Sequence, residues 1–277
     1  MDPSLARGVK NQAFREMAPQ VELSIDRFKK LLLSSKAGTS LNNWNRFTDQ
    51  IDSTFADLLI KKHIGGSKRK PYLCVSTLDS QLGKSFNSWN EQCLNSVQLI
   101  TIYSPWFFEA TYAGYSISEH AVQRIYERAI ASDALNADKS KLSLLTEQLL
   151  MTPAWSSFWI NFAHQLLSEG EDEKIRIAIP TAAGLLLGEL SMKSIHKVEI
   201  RTFVSDAQLH TNQRELKKNM ISALGNINSN LLPFFPSLPI AGIGGIEKGL
   251  DELNESVKVF LPQLKALALS KHIHENH

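Results

Sequence analysis

Lys174-Ile-Arg-Ile-Ala-Ile179, Gly184-Leu-Leu-Leu-Gly-Glu-Leu190 and Lys197-Val-Glu-Ile-Arg-Thr-Phe-Val204 decide the fold class. Each is a short run rich in branched apolar residues, bounded by turn formers, and each reads as a β-strand. The last alternates apolar and polar side chains, as a half-buried strand does. Close spacing makes the three a meander.

Helical patterns surround this sheet. Upstream, residues 119–131, 140–150 and 155–168 read as helices, and the acidic turn Glu169-Gly-Glu-Asp-Glu173 ends the run. Downstream, a long amphipathic helix is expected from Asp206 to about Leu224, and another over 249–270, interrupted at Pro262. Nearer the N-terminus, Leu23, Arg27, Lys30 and Leu31 belong to one amphipathic stretch. A second spans Leu41–Lys62, with Trp44, Phe47, Ile51, Phe55, Leu58 and Leu59 at helical spacing and Gly65-Gly66 as its stop. Tyr72–Thr77 and Val97–Tyr103 are short strands, and Pro105 with Trp106-Phe107-Phe108 makes a packed connection. The expectation is an α+β protein. Residues 1–110 form a helix-rich N-terminal region with two short strands, and residues 111–277 pack helices on a small antiparallel sheet. The two regions are also compatible with one continuous domain.

The chain has 277 residues, 43% hydrophobic and 21% charged, the balance of an ordinary globular protein. Its formal charge is 30 − 28 = +2, so bulk charge does not announce a nucleic-acid binder. Cys74 and Cys93 form no CxxC pair, which argues against a disulfide framework or a zinc-thiolate centre. With so few cysteines and no legible secretory leader or membrane-length apolar run, the expected setting is cytoplasmic, a reducing bacterial or eukaryotic cytosol without membrane attachment. Residues 219–246 carry no charge and are rich in Pro and Gly. They read as a long loop over the core, or as a segment that meets a partner protein.

Chemistry concentrates in Ser118-Glu-His-Ala-Val-Gln-Arg-Ile-Tyr-Glu-Arg128. Ser118 suits a helix N-cap, and Ser116 with Glu119 is an alternative capping box. At 100° per residue, Ala121, Val122, Ile125 and Ala129 share one arc, while His120, Arg124 and Arg128 share the adjoining one. A basic edge beside a buried face is where a cleft wall stands. Metal-independent RNA cleavage needs a proton exchanger, which His120 supplies, and fixed positive charge at the phosphate, which Arg124 and Arg128 supply. The same helix also reads as partly solvated, with Arg124–Glu127 and similar pairs at helical spacing.

The pattern of Ser118, His120, Ala121, Arg124 and Arg128 resembles a segment of uncharacterised bacterial domains, and the first helix of small RelE/BrnT-like toxins. That resemblance covers about residues 116–210. It implies a ribonuclease-like or RNA-binding activity, with the 174–204 meander as the active sheet and Arg201 and Thr202 on the opposite wall. Two helices intervene between motif and sheet here, and the chain is much longer than a free-standing toxin of that type.

Lys61, Lys62, Lys68, Arg69 and Lys70 add a stretch without acidic residues that could attract a phosphate backbone, or simply be a solvated loop. Other signals carry less. Leu73–Ser85 imitates a phosphate-binding loop, but Leu78 stands where that loop needs glycine. His272, His274 and His277 lie on a terminal tail, and no GxSxG or HExxH pattern occurs. No cofactor or metal is expected.

Overall fold

The computed structural model describes residues 30, 46–47, 49–53, 59–67, 70–79, 93–102, 108–130, 141–167, 174–191, 197–225 and 254–269. Seven strands form one mixed sheet: β1 (Leu59–Ser67), β2 (Lys70–Asp79), β3 (Cys93–Ile102), β4 (Phe108–Ser118), β5 (Lys174–Pro180), β6 (Gly184–Ser191) and β7 (Lys197–Ser205). Their order is β1-β2-β3-β4-β7-β6-β5. Two antiparallel meanders, β1–β4 and β5–β7, meet along a parallel seam that pairs Gly114–Ile117 with Lys197–Ile200. The helices are α1 (Glu119–Ile125), α2 (Lys141–Gln148), α3 (Thr152–Leu167), α4 (Thr211–Gly225) and α5 (Leu261–Ala268). The architecture is α+β. Among the described residues no helix is long and apolar enough to cross a membrane.

Alternation along the strands sorts the two faces of the sheet. Leu94, Tyr115, Ile117, Val198, Ile200, Phe203, Ile175, Ile177 and Ile179 point to the main core. There they meet Ala121, Val122 and Ile125 of α1, Trp155 and Trp159 of α3, Leu216 and Met220 of α4, and Leu264 of α5. The arc read from the sequence as the buried side of α1 is the side that packs. The Trp159 indole N–H donates to the Ala178 carbonyl at 2.7 Å and so fastens α3 to β5. A smaller cluster, Ala178, Leu185, Leu187 and Leu209, lies on the opposite face.

The β5–β6 hairpin is closed by Thr181, whose hydroxyl accepts from the Ala183 and Gly184 amides at 3.2 and 3.0 Å. Between β6 and β7 the register shifts: Gly188 faces Ile200, but Leu187 faces Thr202. Arg201 is therefore the extra residue of a β-bulge. A Cβ on Gly188 would collide with the Glu199 carbonyl oxygen, so the close approach of the two strands requires glycine there.

The sheet is larger than the meander expected from sequence. Phe108–Ser118, not anticipated as a strand, supplies the central β4, and the division at 110/111 falls inside it. Of the helix expected over Leu41–Lys62, residues 46–47 and 49–53 are helical, but it does not run through Lys62, because Leu59–Ser67 is a strand. Lys61–Gly66 pair residue by residue with Pro71–Ser76 of β2, and this hairpin pairing overrides the local helical spacing. Gly65 and Gly66 lie within that strand rather than ending a helix. The 206–224 helix begins instead as a short 3₁₀ turn, Asp206–Gln208, before α4.

Candidate functional site

α1 starts where β4 ends. The Ser118 side chain accepts from the Ala121 amide at 3.1 Å, which makes Ser118 the N-cap. The same hydroxyl donates to the Arg201 carbonyl at 3.0 Å. A hydroxyl has one donor and two acceptor positions, so one side chain serves helix and sheet together. Past Ile125 the helix widens into a π-helical turn over Tyr126–Ile130. From this turn the Arg128 guanidinium donates to the Phe203 carbonyl at 2.6 Å.

These two bonds share one cause. β4 pairs with β7 only as far as Ile117–Ile200, while β7 runs on to Ser205. Among the described residues the continuing strand has no neighbour strand on that side, and α1 lies against it instead. Arg201 and Phe203 are two residues apart, so their carbonyls point the same way. Ser118 and Arg128 satisfy them, as backbone acceptors leaving a sheet require.

The rest of the basic edge has its own partners. Arg124 donates to Glu127 at 2.8 Å, and Gln123 donates to the other Glu127 oxygen at 2.8 Å. Arg124 also donates from Nε to His120 Nε2 at 3.4 Å, a long bond on an exposed imidazole. Burial raises the Glu127 carboxyl, but hydrogen bonds from Gln123 and Arg124 and the charges of Arg124 and Arg128 outweigh it, leaving Glu127 below the usual range. Burial and the Arg124 charge lower the Arg128 guanidinium, with Glu127 opposing them. Arginine titrates so high that it remains a cation at neutral pH.

The proposed opposite wall divides. Arg201 donates to Glu189 at 2.6 Å, and Glu189 also accepts from Lys174 at 3.1 Å. Thr202 pairs with Leu187, which places it on the sheet face of the smaller apolar cluster, away from the core that α1 enters. His120, Arg124 and Arg128 thus occupy one helical edge, and Thr202 belongs to the other side of β7.

The cations of the N-terminal stretch fall on the edge hairpin. Lys61 and Lys62 lie in β1 and Lys70 opens β2, while Lys68 and Arg69 lie outside the described residues. Lys70 pairs with Ser67. Five residues of strand separate Lys62 from Ser67, about 17 Å at the usual rise. Lys61 and Lys62 therefore lie apart from Lys70 along the hairpin. Of the uncharged 219–246 segment, residues 219–225 end α4, and the remainder lies outside the described residues. So do His272, His274 and His277.

Sequence reasoning missed a polar row on the second sheet face. The register sets Asn95, Ser116, Glu199 and Glu189 side by side across β3, β4, β7 and β6, and the first three are buried. Period-two alternation in Phe108–Ser118 was the signal that could have found it. Among the described residues no group of three or more His, Cys, Asp or Glu gathers as a metal would require. No family model matches the chain, and neither a curated protein nor a solved structure does.

Proposed function

We propose that this chain is a non-enzymatic interaction protein, and that the 118–128 segment is part of its architecture. One observation carries this reading: one N–H of the Arg128 guanidinium donates to the Phe203 carbonyl at 2.6 Å, which anchors to the sheet edge the group that a phosphodiester would need. Arg124 is paired with Glu127 in the same way. A phosphate meeting Arg128 would share a guanidinium already tied to the sheet edge by a charge-assisted bond. The toxin-like ribonuclease is the competing proposal, and RNA incubation separates the two. Purified protein is expected to leave RNA intact at every pH tested. Cleavage that disappears in a folded His120→Ala variant would overturn the interaction reading.

A second reading, an RNA-binding protein without cleavage, is favoured by the basic residues on the β1–β2 hairpin. Lysines on an edge strand also discourage strand-to-strand association, which gives them a role without RNA. The salt dependence of binding decides. Replacing Lys61 and Lys62 by Gln should flatten the slope of log affinity against log salt by about 0.7 for each phosphate of single-stranded RNA no longer neutralised.

A further inference from the structure

The first two turns of α3 hold three buried polar groups without partners. Among the described residues the Thr152 hydroxyl, the Trp155 indole N–H and the Ser156 hydroxyl find no hydrogen-bond partner, and all three residues are 0% exposed. Their spacing is i, i+3 and i+4, so they stand on one arc of the helix. Trp159 shares that arc, and its indole N–H is satisfied by Ala178. The contrast is within one stripe: one tryptophan has an acceptor and the other has none.

Leaving a buried donor or acceptor unmade costs about 1–3 kcal/mol each. Three together approach the whole stability of an ordinary domain, about 5–15 kcal/mol. Native interiors leave few such groups, and an unfilled set calls for something from solution. The indole N–H can only donate, and the hydroxyls can donate as well. The groups also sit at the positive end of a 16-residue helix. What fits them is an oxygen acceptor.

We propose that this trio is a binding site for a small carbonyl- or carboxylate-bearing molecule. The ligand oxygen accepts from Trp155 Nε1, with the Thr152 and Ser156 hydroxyls beside it. The α2–α3 turn leads directly into these residues in the chain. Leu149 is buried there, but Leu150 is 48% exposed and Met151 is half-buried. The turn is held by backbone bonds from the Leu149 and Thr152 amides at 3.0 Å and a longer one from the Leu150 amide to the Glu147 carbonyl at 3.4 Å.

The indole N–H resonances of the full chain provide the test, with the Trp155 signal assigned through Trp155→Phe. Formate and formamide are the probes, separating a charged acceptor from a neutral one. Either should move the Trp155 signal saturably while the Trp159 signal stays. Thr152→Val with Ser156→Ala should weaken that response about tenfold or more. If the double variant does not fold, Ser156→Ala alone serves. A Trp155 signal unmoved by both probes means that the site holds ordered water only, and overturns the proposal. So does an equal movement with chloride, or an undiminished response in the folded variant.

Discussion

Arg124 and Arg128 show how little a residue type says about its task. They are one turn apart and chemically identical, yet one pairs with a neighbouring glutamate on the helix surface and the other closes a sheet. Their removal should differ accordingly. Arg124→Ala is expected to cost about 0.3–0.5 kcal/mol, the worth of an exposed helical ion pair. Arg128→Met leaves the Phe203 carbonyl unanswered and is expected to cost about 1.5–3 kcal/mol, the worth of a hydrogen bond from a charged group. Urea unfolding of the two variants checks the ranking, and equal costs would contradict the sheet-edge role. Glu127 adds a pH dependence of known sign. Its carboxyl is held below the usual range, so its contribution is fully present above the unfolded value of about 4.3 and is lost as pH falls through the lower folded value. Wild-type stability should therefore drop on acidification below about pH 4.3, and Glu127→Gln should flatten that drop.

At the scale of elements, what was legible followed local chemistry. Ser118 as a cap, the buried arc of α1 and the β5–β7 strands all rest on patterns shorter than a dozen residues. β4 was hidden because its period-two alternation changes phase at Gly114, from Phe108, Ala110 and Tyr112 to Tyr115 and Ile117, where its pairing with β3 is irregular. β1 was hidden because Trp44 to Leu59 spaces its apolar residues like a helix, and only pairing with β2 shows where that ends. The partner of Arg128 was not legible either, since a backbone carbonyl has no letter in the sequence. Two substitutions test the elements. Gly188→Ala forces a Cβ onto the Glu199 carbonyl and should unpair β6 from β7, seen as loss of the cooperative unfolding transition. Ser118→Ala removes a cap and a sheet bond together. A loss of about 1–3 kcal/mol is expected, with faster amide exchange at Ala121.

For the molecule as a whole, the seam between the meanders is the critical joint. It is only four residues long on each strand, and its partners are far apart in sequence, as the 83 residues between Ser118 and Arg201 show. Pairings so distant form late, because loop closure must precede them. Until they form, β4 and β7 each present a bare edge to whatever strand arrives first. A second copy of the same chain offers a matching edge at equal distance. Refolding should therefore slow and lose yield as protein concentration rises, through exchanged meanders between molecules. The joint that makes one sheet of two halves is also the place where two chains can be mistaken for one.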